Sequence, residues 1–220
     1  MAGKLPIGVL ISGGGTNLQA IIDAIESGKL DARIAIVVSN RADAYGLVRA
    51  KNHGLATEAL DHKRFPSREA FDQAVVEILR GRGVDLVVLA GFMRLLSLVL
   101  VKAFSNRIMN IHPALLPSFP GLHVQKRALE HGVRFSGCTV HFVNEECDEG
   151  PIIIQAVVPV LQADTEESLA ARILEQEHRI YTRAIQLYSE GRLHVEGRRV
   201  LVEGLTPDET QALCQPPLEG

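Results

Sequence analysis

Short apolar runs alternate with helix-like segments along the first half of this sequence. Runs typical of buried strands occupy residues 7–11, 33–39, 56–60 and 84–90, and a fifth strand contains residues 110–112. Helical patterns separate them, at 18–25, at 45–52, from Ser67 (the predicted N-cap) onward and at 98–103. Such alternation predicts an α/β fold with a doubly wound, mostly parallel sheet, whose ligands bind beyond the carboxyl ends of the strands.

The pattern changes in the second half of the chain. After a helix predicted at 122–131, residues 136–143 and 152–161 flank an acidic turn. This arrangement predicts a C-terminal antiparallel strand pair joined by the acidic loop. Residues 193–202 then read as a small hairpin.

A long helix separates the strand pair from the hairpin, with Asp164 as its predicted N-cap. Glu177 falls at the edge of its apolar stripe. A carboxylate there needs a partner, either a substrate hydroxyl or amine or a nearby arginine. With no internal repeat, residues 1–205 are expected to form a single domain, followed by a loosely held tail at 206–220.

Composition excludes several classes of protein. The 220 residues carry a net charge of −3, only 5% aromatic residues and no tryptophan, which argues against nucleic-acid binding. The three cysteines, Cys138, Cys147 and Cys214, form no C-x-x-C pattern and suit a reduced, cytoplasmic setting. No apolar run is long enough for a membrane span or signal peptide.

A glycine-rich turn at 12–17 connects the first strand to the first helix. Such a turn exposes backbone N–H groups at a helix N-terminus, and Thr16 and Asn17 add side-chain donors. It is not a dinucleotide fingerprint, because Leu18 occupies the last glycine position, and no Gly-Lys-Ser/Thr ends it. The turn therefore predicts a site for a single phosphate. The alternative is an ordinary tight turn with no ligand.

An amide and an imidazole stand close together where another strand ends. Pro113 favours an extended backbone at His112, so Asn110 and His112 point to the same side. This pair suits a reaction in which a carbonyl oxygen becomes negative and a proton moves. Asp148, just before a Gly-Pro turn, could orient the imidazole. The alternative reading is a capping Asn110, a structural His112 and an exposed acidic turn.

Other polar residues also lie near predicted strand ends. Arg68 falls in the first turn of a helix, where the dipole disfavours a cation, which hints at an anionic partner. The loop from Met93 to Leu96 carries apolar residues suited to a flat ligand or to the core. Thr139 and His141 could face the site or pair across the sheet.

Several motifs resemble, in order, those of the folate-dependent phosphoribosylglycinamide formyltransferases, within the wider folate formyltransferase family. The match covers residues 7 to about 195. The motifs are ISGGGTNLQAI at 11–21, LAGFMRLLS at 89–97, NIHPALLP at 110–117, VHFV at 140–143, DEGP at 148–151 and EQEH at 175–178.

The resemblance implies a Rossmann-like formyltransferase fold with a phosphate-binding half at about 1–105 and a folate and catalytic half at about 106–205. It implies a catalytic trio and two substrate sites. The implied trio is Asn110, His112 and Asp148. Thr139 and His141 are candidates to support it by their position in the sequence, not by the resemblance. The implied ribonucleotide contacts are Gly15, Thr16, Asn17 and Glu177. The implied folate contacts are Arg68, Met93, Arg94, Leu95, Leu96 and Asn110.

The implied reaction moves the formyl group of 10-formyltetrahydrofolate to the amino group of glycinamide ribonucleotide in de novo purine biosynthesis. It implies a metal-free, cytoplasmic enzyme with small-molecule substrates, as a monomer or homodimer, without membrane or nucleic-acid partners. A formyltetrahydrofolate hydrolase is the nearest rival, although such enzymes carry an extra N-terminal domain. A transfer-RNA formyltransferase would need an extra C-terminal domain. An oxidoreductase lacks the third glycine, and no ligand spacing supports a zinc hydrolase.

Overall fold

The computed structural model describes residues 3–204 as one nine-stranded sheet flanked by helices. The strands are β1 (Leu5–Ile11), β2 (Ala32–Ser39), β3 (Thr57–Ala59), β4 (Leu86–Leu89), β5 (Ile108–His112), β6 (Phe135–Phe142), β7 (Ile152–Pro159), β8 (Leu193–Glu196) and β9 (Arg199–Val202). The helices are α1 (Thr16–Glu26), α2 (Tyr45–Asn52), α3 (Arg68–Gly81), α4 (Leu98–Ala103), α5 (Val124–Glu130) and α6 (Glu166–Ser189), with a 3₁₀ turn at His62–Arg64. The predicted tail at 206–220 and Cys214 lie outside the described residues.

The strand order is β3-β2-β1-β4-β5-β6-β7-β9-β8. The first five strands run parallel, which confirms the doubly wound prediction. The chain winds outward in both directions from β1 and β4, so the order reverses between these two strands. The carboxyl end of this pair is therefore the expected ligand crevice.

The predicted C-terminal strand pair, β6 and β7, is antiparallel, whereas β9 joins β7 in parallel. β6 runs antiparallel to both β5 and β7. The hairpin of β8 and β9 extends the same sheet, since Ile152 pairs with Arg199. The sheet thus continues past β5, and β6 lies directly beside the strand that carries Asn110 and His112.

Each face of the sheet buries its own apolar cluster. One cluster joins α1, α2, α5 and α6 to the sheet and includes Leu18, Ile173 and Tyr181. The other joins α3 and α4 through Phe71 and Leu100. The buried Tyr181 hydroxyl lies 2.9 Å from the Leu89 carbonyl oxygen and 3.0 Å from that of Met109. This contact fixes α6 across β4 and β5, next to the crevice.

The helix starts test two cap predictions. Ser67 caps α3, because its side chain accepts a hydrogen bond from the Ala70 N–H, as predicted. The prediction that Asp164 caps α6 was wrong. Thr165 is the N-cap and forms a reciprocal capping box with Ser168. The Asp164 carboxylate instead binds the Arg172 guanidinium, which is the main cause of its lowered pKa.

Some boundaries also differ from prediction. The helix predicted at 122–131 is shorter, Val124–Glu130, and begins after His123, whose φ of 55° is left-handed.

Within residues 3–204, none of the helices combines the length and apolar character that a membrane crossing requires.

Candidate active site

Three loops meet at the carboxyl ends of β2, β1 and β4. They surround a cavity of about 620 Å³ lined by residues 12–17 after β1, by Asn40 and Arg41 after β2, and by Ala90, Gly91 and Met93 after β4. This is where the strand order reverses, so the cavity occupies the crevice that the topology predicts.

The glycine turn forms one wall of this cavity. Gly15 has left-handed dihedral angles (φ 72°, ψ 37°), and α1 begins at the next residue. A side chain at Gly15 would place its Cβ 2.8 Å from the Cα atom of Gly46, so the turn can pack against α2 only with glycine there. Gly15, Thr16 and Asn17 all line the cavity, where an anion can reach the start of α1.

Asn17 also connects the turn to α6. Its Nδ2 atom donates a hydrogen bond of 2.8 Å to Glu177 Oε2. Glu177 is buried, as its position at the stripe edge predicted, and its partner within the described residues is this amide rather than an arginine. Burial raises the pKa of Glu177, while the Asn17 bond and the nearby His112 oppose this. The pair thus places an acidic group behind the turn and close to the catalytic candidates.

His112 and Asp148 lie together, as expected. His112 Nδ1 is 3.5 Å from Asp148 Oδ2, and both side chains are almost fully buried. His112 Nε2 lies 2.9 Å from the Phe119 carbonyl oxygen. The ring therefore lies between a carboxylate and a carbonyl oxygen, and Nε2 donates to the carbonyl when it carries the hydrogen.

The backbone around Asp148 holds its carboxylate in this position. Asp148 has a φ of 56°, a left-handed conformation that aspartate tolerates better than most residues. Its Oδ2 atom accepts a 2.9 Å hydrogen bond from the Gly121 N–H. A side chain at Gly150 would collide with the Phe142 carbonyl, so the chain can turn tightly only with glycine there. The acidic turn is therefore folded back onto His112.

Asn110 pairs with His141 on the neighbouring strand β6. The two residues are opposite each other, and Asn110 Nδ2 is 3.3 Å from His141 Nε2. His141 Nδ1 lies 2.9 Å from the Phe142 carbonyl oxygen, so Nδ1 carries the hydrogen and Nε2 accepts from the amide. Burial lowers the pKa of His141, which favours this neutral form. His141 thus does both things that were considered, since it pairs across the sheet with Asn110 and lies 3.9 Å from Asp148.

Thr139 is buried opposite His112 but contacts the following loop. Its hydroxyl donates to the Ala114 carbonyl (2.6 Å) and accepts from the Leu116 N–H (3.1 Å). The residue therefore fixes the proline-rich loop that follows His112.

The residues expected at a folate site are only partly brought together. Met93 lines the cavity and is 71% exposed. Leu95 is also exposed, whereas Leu96 packs against the α3 cluster. The Arg94 guanidinium lies 4.7 Å from the Phe71 ring centroid. Except for Met93, none of these side chains lines the cavity.

Arg68 also lies outside the cavity lining, in the first turn of α3. Its nearest ion-pair partner within the described residues is Glu69, at 3.7 Å. The helix position is as predicted, but the side chain does not border the cavity.

Three polar side chains that line the cavity were not named among the predicted contacts, although the first of them lies in the predicted turn: Ser12, Asn40 and Arg41. Ser12 Oγ donates to Asn40 Oδ1 (2.6 Å) and accepts from the Met93 N–H (2.8 Å). It thereby joins the glycine turn to the Met93 loop. The sequence signal that could have identified them is their position directly after β1 and β2, where polar residues follow apolar strands.

Among residues 3–204, no group of three or more His, Cys, Asp or Glu side chains is arranged to hold a metal ion.

Comparisons with known proteins agree on one family. The family described as formyl transferase matches residues 5–185. The phosphoribosylglycinamide formyltransferase of Escherichia coli (strain K12) is 46% identical over 208 residues, which are 91% of this chain and 98% of that protein. The glycinamide ribonucleotide transformylase 1 of Symbiobacterium toebii is 58% identical in its crystal structure, with a TM-score of 0.90, covering 92% of this chain and 95% of that one.

A formyltetrahydrofolate deformylase from Pseudomonas syringae pv. tomato has a similar fold, with a TM-score of 0.84. It is only 29% identical, and the match covers 91% of this chain and 66% of that one. Similarity is therefore greater to the transferases than to this deformylase.

Proposed function

The chain belongs to the formyl transferase family, and on that premise we propose that it transfers a formyl group from 10-formyltetrahydrofolate to the amino group of glycinamide ribonucleotide, a step of purine biosynthesis. The observation that carries this proposal is the cluster of Asn110, His112 and Asp148, which does not line the cavity itself but is connected through Glu177 and Asn17 to a glycine turn able to hold a phosphate.

The reaction forms one carbon–nitrogen bond and breaks another. The substrate amine attacks the formyl carbon, and the carbonyl oxygen becomes an oxyanion. The Asn110 amide can donate one hydrogen bond to that oxyanion while it keeps its other hydrogen bond to His141 Nε2. The tetrahedral intermediate then loses the folate nitrogen, and one proton moves from the attacking amine to that nitrogen.

His112 is proposed to stabilise the same oxyanion. Its Nε2 atom lies 2.9 Å from the Phe119 carbonyl oxygen, a contact that supports a donor role for this nitrogen towards an oxygen. The formyl oxygen would replace that carbonyl as the acceptor, while Asp148 keeps the ring charged and oriented. His112, or a water held by Asp148, would then move the proton.

The ribonucleotide is proposed to bind along the glycine turn. Backbone N–H groups at Gly15, Thr16 and Asn17 can hold its phosphate at the start of α1. Glu177, held by Asn17, is proposed to accept hydrogen bonds from the substrate. These contacts would hold the amine near the trio.

The folate is proposed to bind between the Met93 loop and β5. Met93 and Leu95, the exposed apolar side chains of this loop, would supply apolar surface, while Arg94, between them, would supply polar contacts and Leu96 would hold the loop on α3. Arg68 lies farther out and would meet the anionic glutamate end of the folate.

One assay separates this transferase from the rival hydrolase. The protein is mixed with 10-formyltetrahydrofolate, with and without glycinamide ribonucleotide, and released tetrahydrofolate and formylated ribonucleotide are both measured. We expect tetrahydrofolate to be released only when the ribonucleotide is present, in an amount equal to the formylated ribonucleotide. Release of tetrahydrofolate without the ribonucleotide would indicate a hydrolase instead.

Variants test the proposed roles in the same assay. Removing one oxyanion donor costs about 10²–10³ in rate, so Asn110→Ala and His112→Ala should each lower kcat by roughly that factor. Asn52→Ala, an exposed residue at the end of α2, is the control and should change nothing. Near-normal turnover in both site variants would refute the mechanism.

A further inference from the structure

Helix α2 holds the glycine turn from the side opposite the cavity. The Gly13 carbonyl oxygen accepts a 3.0 Å hydrogen bond from the Gly46 N–H. The Gly14 carbonyl oxygen accepts a 2.8 Å bond from Arg49 Nε. No residue of α2 lines the cavity itself. Two consecutive carbonyls of the turn are therefore fixed from outside the site.

The direction of these carbonyls determines the direction of the N–H groups. In a planar trans peptide the C=O and N–H bonds point in opposite directions. The N–H of Gly14 shares a peptide with the Gly13 carbonyl, and the N–H of Gly15 shares one with the Gly14 carbonyl. Both N–H groups must therefore point away from α2, and both residues line the cavity. Adjacent N–H groups directed to one side form an anion-binding concavity.

Glycine makes this arrangement easy to lose. Gly13 and Gly14 have no side chains, and a Cβ added at either would touch nothing within 4 Å, so packing does not fix these peptides. Their backbone can rotate at little steric cost. A hydrogen bond to the Gly14 carbonyl oxygen therefore directly restrains the Gly14–Gly15 peptide from rotating.

Arg49 is itself held in place. Its side chain is half-buried, its guanidinium lies 5.1 Å from the Tyr45 ring centroid, and its Nη1 atom is 3.3 Å from Gln19 Oε1. It therefore connects α2, the turn and the first helix at once. Because it contacts the back of the turn, its effect on a bound anion is exerted through the Gly14–Gly15 peptide.

We propose that Arg49 is a positioning residue that orients the glycine turn to receive the phosphate of the acceptor substrate. The inference depends on the proposed function, in which this turn binds the ribonucleotide phosphate. Arg49 does not touch the substrate, so its loss should weaken binding of the phosphate and leave the chemical step intact.

The test compares two acceptors, glycinamide ribonucleotide and the riboside that lacks the phosphate, in wild type, Arg49→Met and Arg49→Lys. Loss of an oriented donor to a charged group is worth about one order of magnitude in affinity. Arg49→Met should therefore raise KM for the ribonucleotide about tenfold and leave the riboside KM and kcat unchanged. Arg49→Lys, which keeps one donor, should show a smaller increase and provides the comparison if the Met variant does not fold. Inorganic phosphate should become a weaker competitive inhibitor in both.

Lys51→Met is the matched control, because it removes a positive charge from an exposed position of the same helix. It should leave all constants unchanged. An equal effect of Lys51→Met and Arg49→Met would attribute the loss to net charge and overturn the inference. The inference would also be overturned if an Arg49 variant kept the wild-type ratio of KM values for the two acceptors. If wild type itself failed to discriminate them, the phosphate role of the turn would be wrong instead.

Discussion

Replacing Asp148 with asparagine removes one negative charge from the site with little change of shape. Asparagine tolerates the left-handed backbone at this position, and its side-chain oxygen can still accept from the Gly121 N–H. The change therefore isolates the charge that faces His112 at 3.5 Å. We expect kcat to fall while substrate affinity and folding are retained.

The size of the effect follows from this distance. Two unit charges at 3.5 Å attract by about 5 kcal/mol at an effective dielectric constant of about 20, which is an upper bound because the imidazole can lose its proton. Hydrogen bonds between charged groups contribute about 1.5–3 kcal/mol net. At about 1.4 kcal/mol per factor of ten, kcat should fall roughly 10- to 100-fold.

The assay is steady-state formyl transfer with either substrate varied, together with thermal unfolding. Glu149→Gln is the control, because it neutralises the adjacent carboxylate, which is about half exposed and 3.8 Å from Arg198. The control should keep kcat within about twofold, since exposed ion pairs contribute little. The reasoning would be refuted if Asp148→Asn kept more than a third of wild-type kcat, or if both variants lost activity equally.

Two other buried groups give predictions of their own. Glu177→Gln should raise KM for the ribonucleotide about tenfold through loss of a charged acceptor, yet leave the unfolding temperature at pH 7.5 equal or higher. Burial raises the pKa of this acid, so its ionised form lowers stability above pH 4.5; a lower unfolding temperature would contradict this. His141 has a lowered pKa, so the unfolded state binds more protons, and stability should decline as the pH falls below 6.5. Urea midpoints at pH 7.5 and 5.5 should differ less for His141→Gln than for wild type, and equal differences would count against this assignment.

The sequence predicted well those features that depend on local periodicity. Parallel strands bury both faces, so β1, β2 and β4 are nearly continuous apolar runs that stand out from the helices between them. These runs also predicted where the strands end, and therefore the approximate positions of the glycine turn and of His112. The cap of α6 was missed because Asp164 and Thr165 are both good N-cap residues in adjacent positions, and only the Arg172 contact of Asp164 separates them.

Contacts between distant segments were much harder to predict. Periodicity alone placed Glu177 at a buried edge, but its partner Asn17 is 160 residues away in sequence. The same limit applies to His141, whose side could be inferred only once β6 was known to pair with β5 in a given register. A one-residue shift of that register would turn His141 away from Asn110, so the sheet pairing decides whether the amide has a partner.

The folate contacts illustrate a different limit. Six were expected, four of them in the stretch 93–96 together with Arg68 and Asn110, yet only Met93 lines the cavity. A loop of consecutive residues cannot direct every side chain to one side, and Leu96 is already used to pack against α3. Proximity in sequence to a functional strand end is therefore a weak guide to contact.

Arg49 shows why residues that support a site are harder to identify than residues that form it. A glycine turn is recognisable because its composition is what lets the backbone approach an anion. The side chain that orients this turn comes from another helix, 35 residues along the chain, and contacts a carbonyl that every residue type possesses. Nothing local in the helix pattern of α2 distinguishes Arg49 from Lys51, the other cation of that helix. Only the three-dimensional packing of α2 behind the turn, through the close approach of Gly15 and Gly46, assigns it a role that Lys51 does not share.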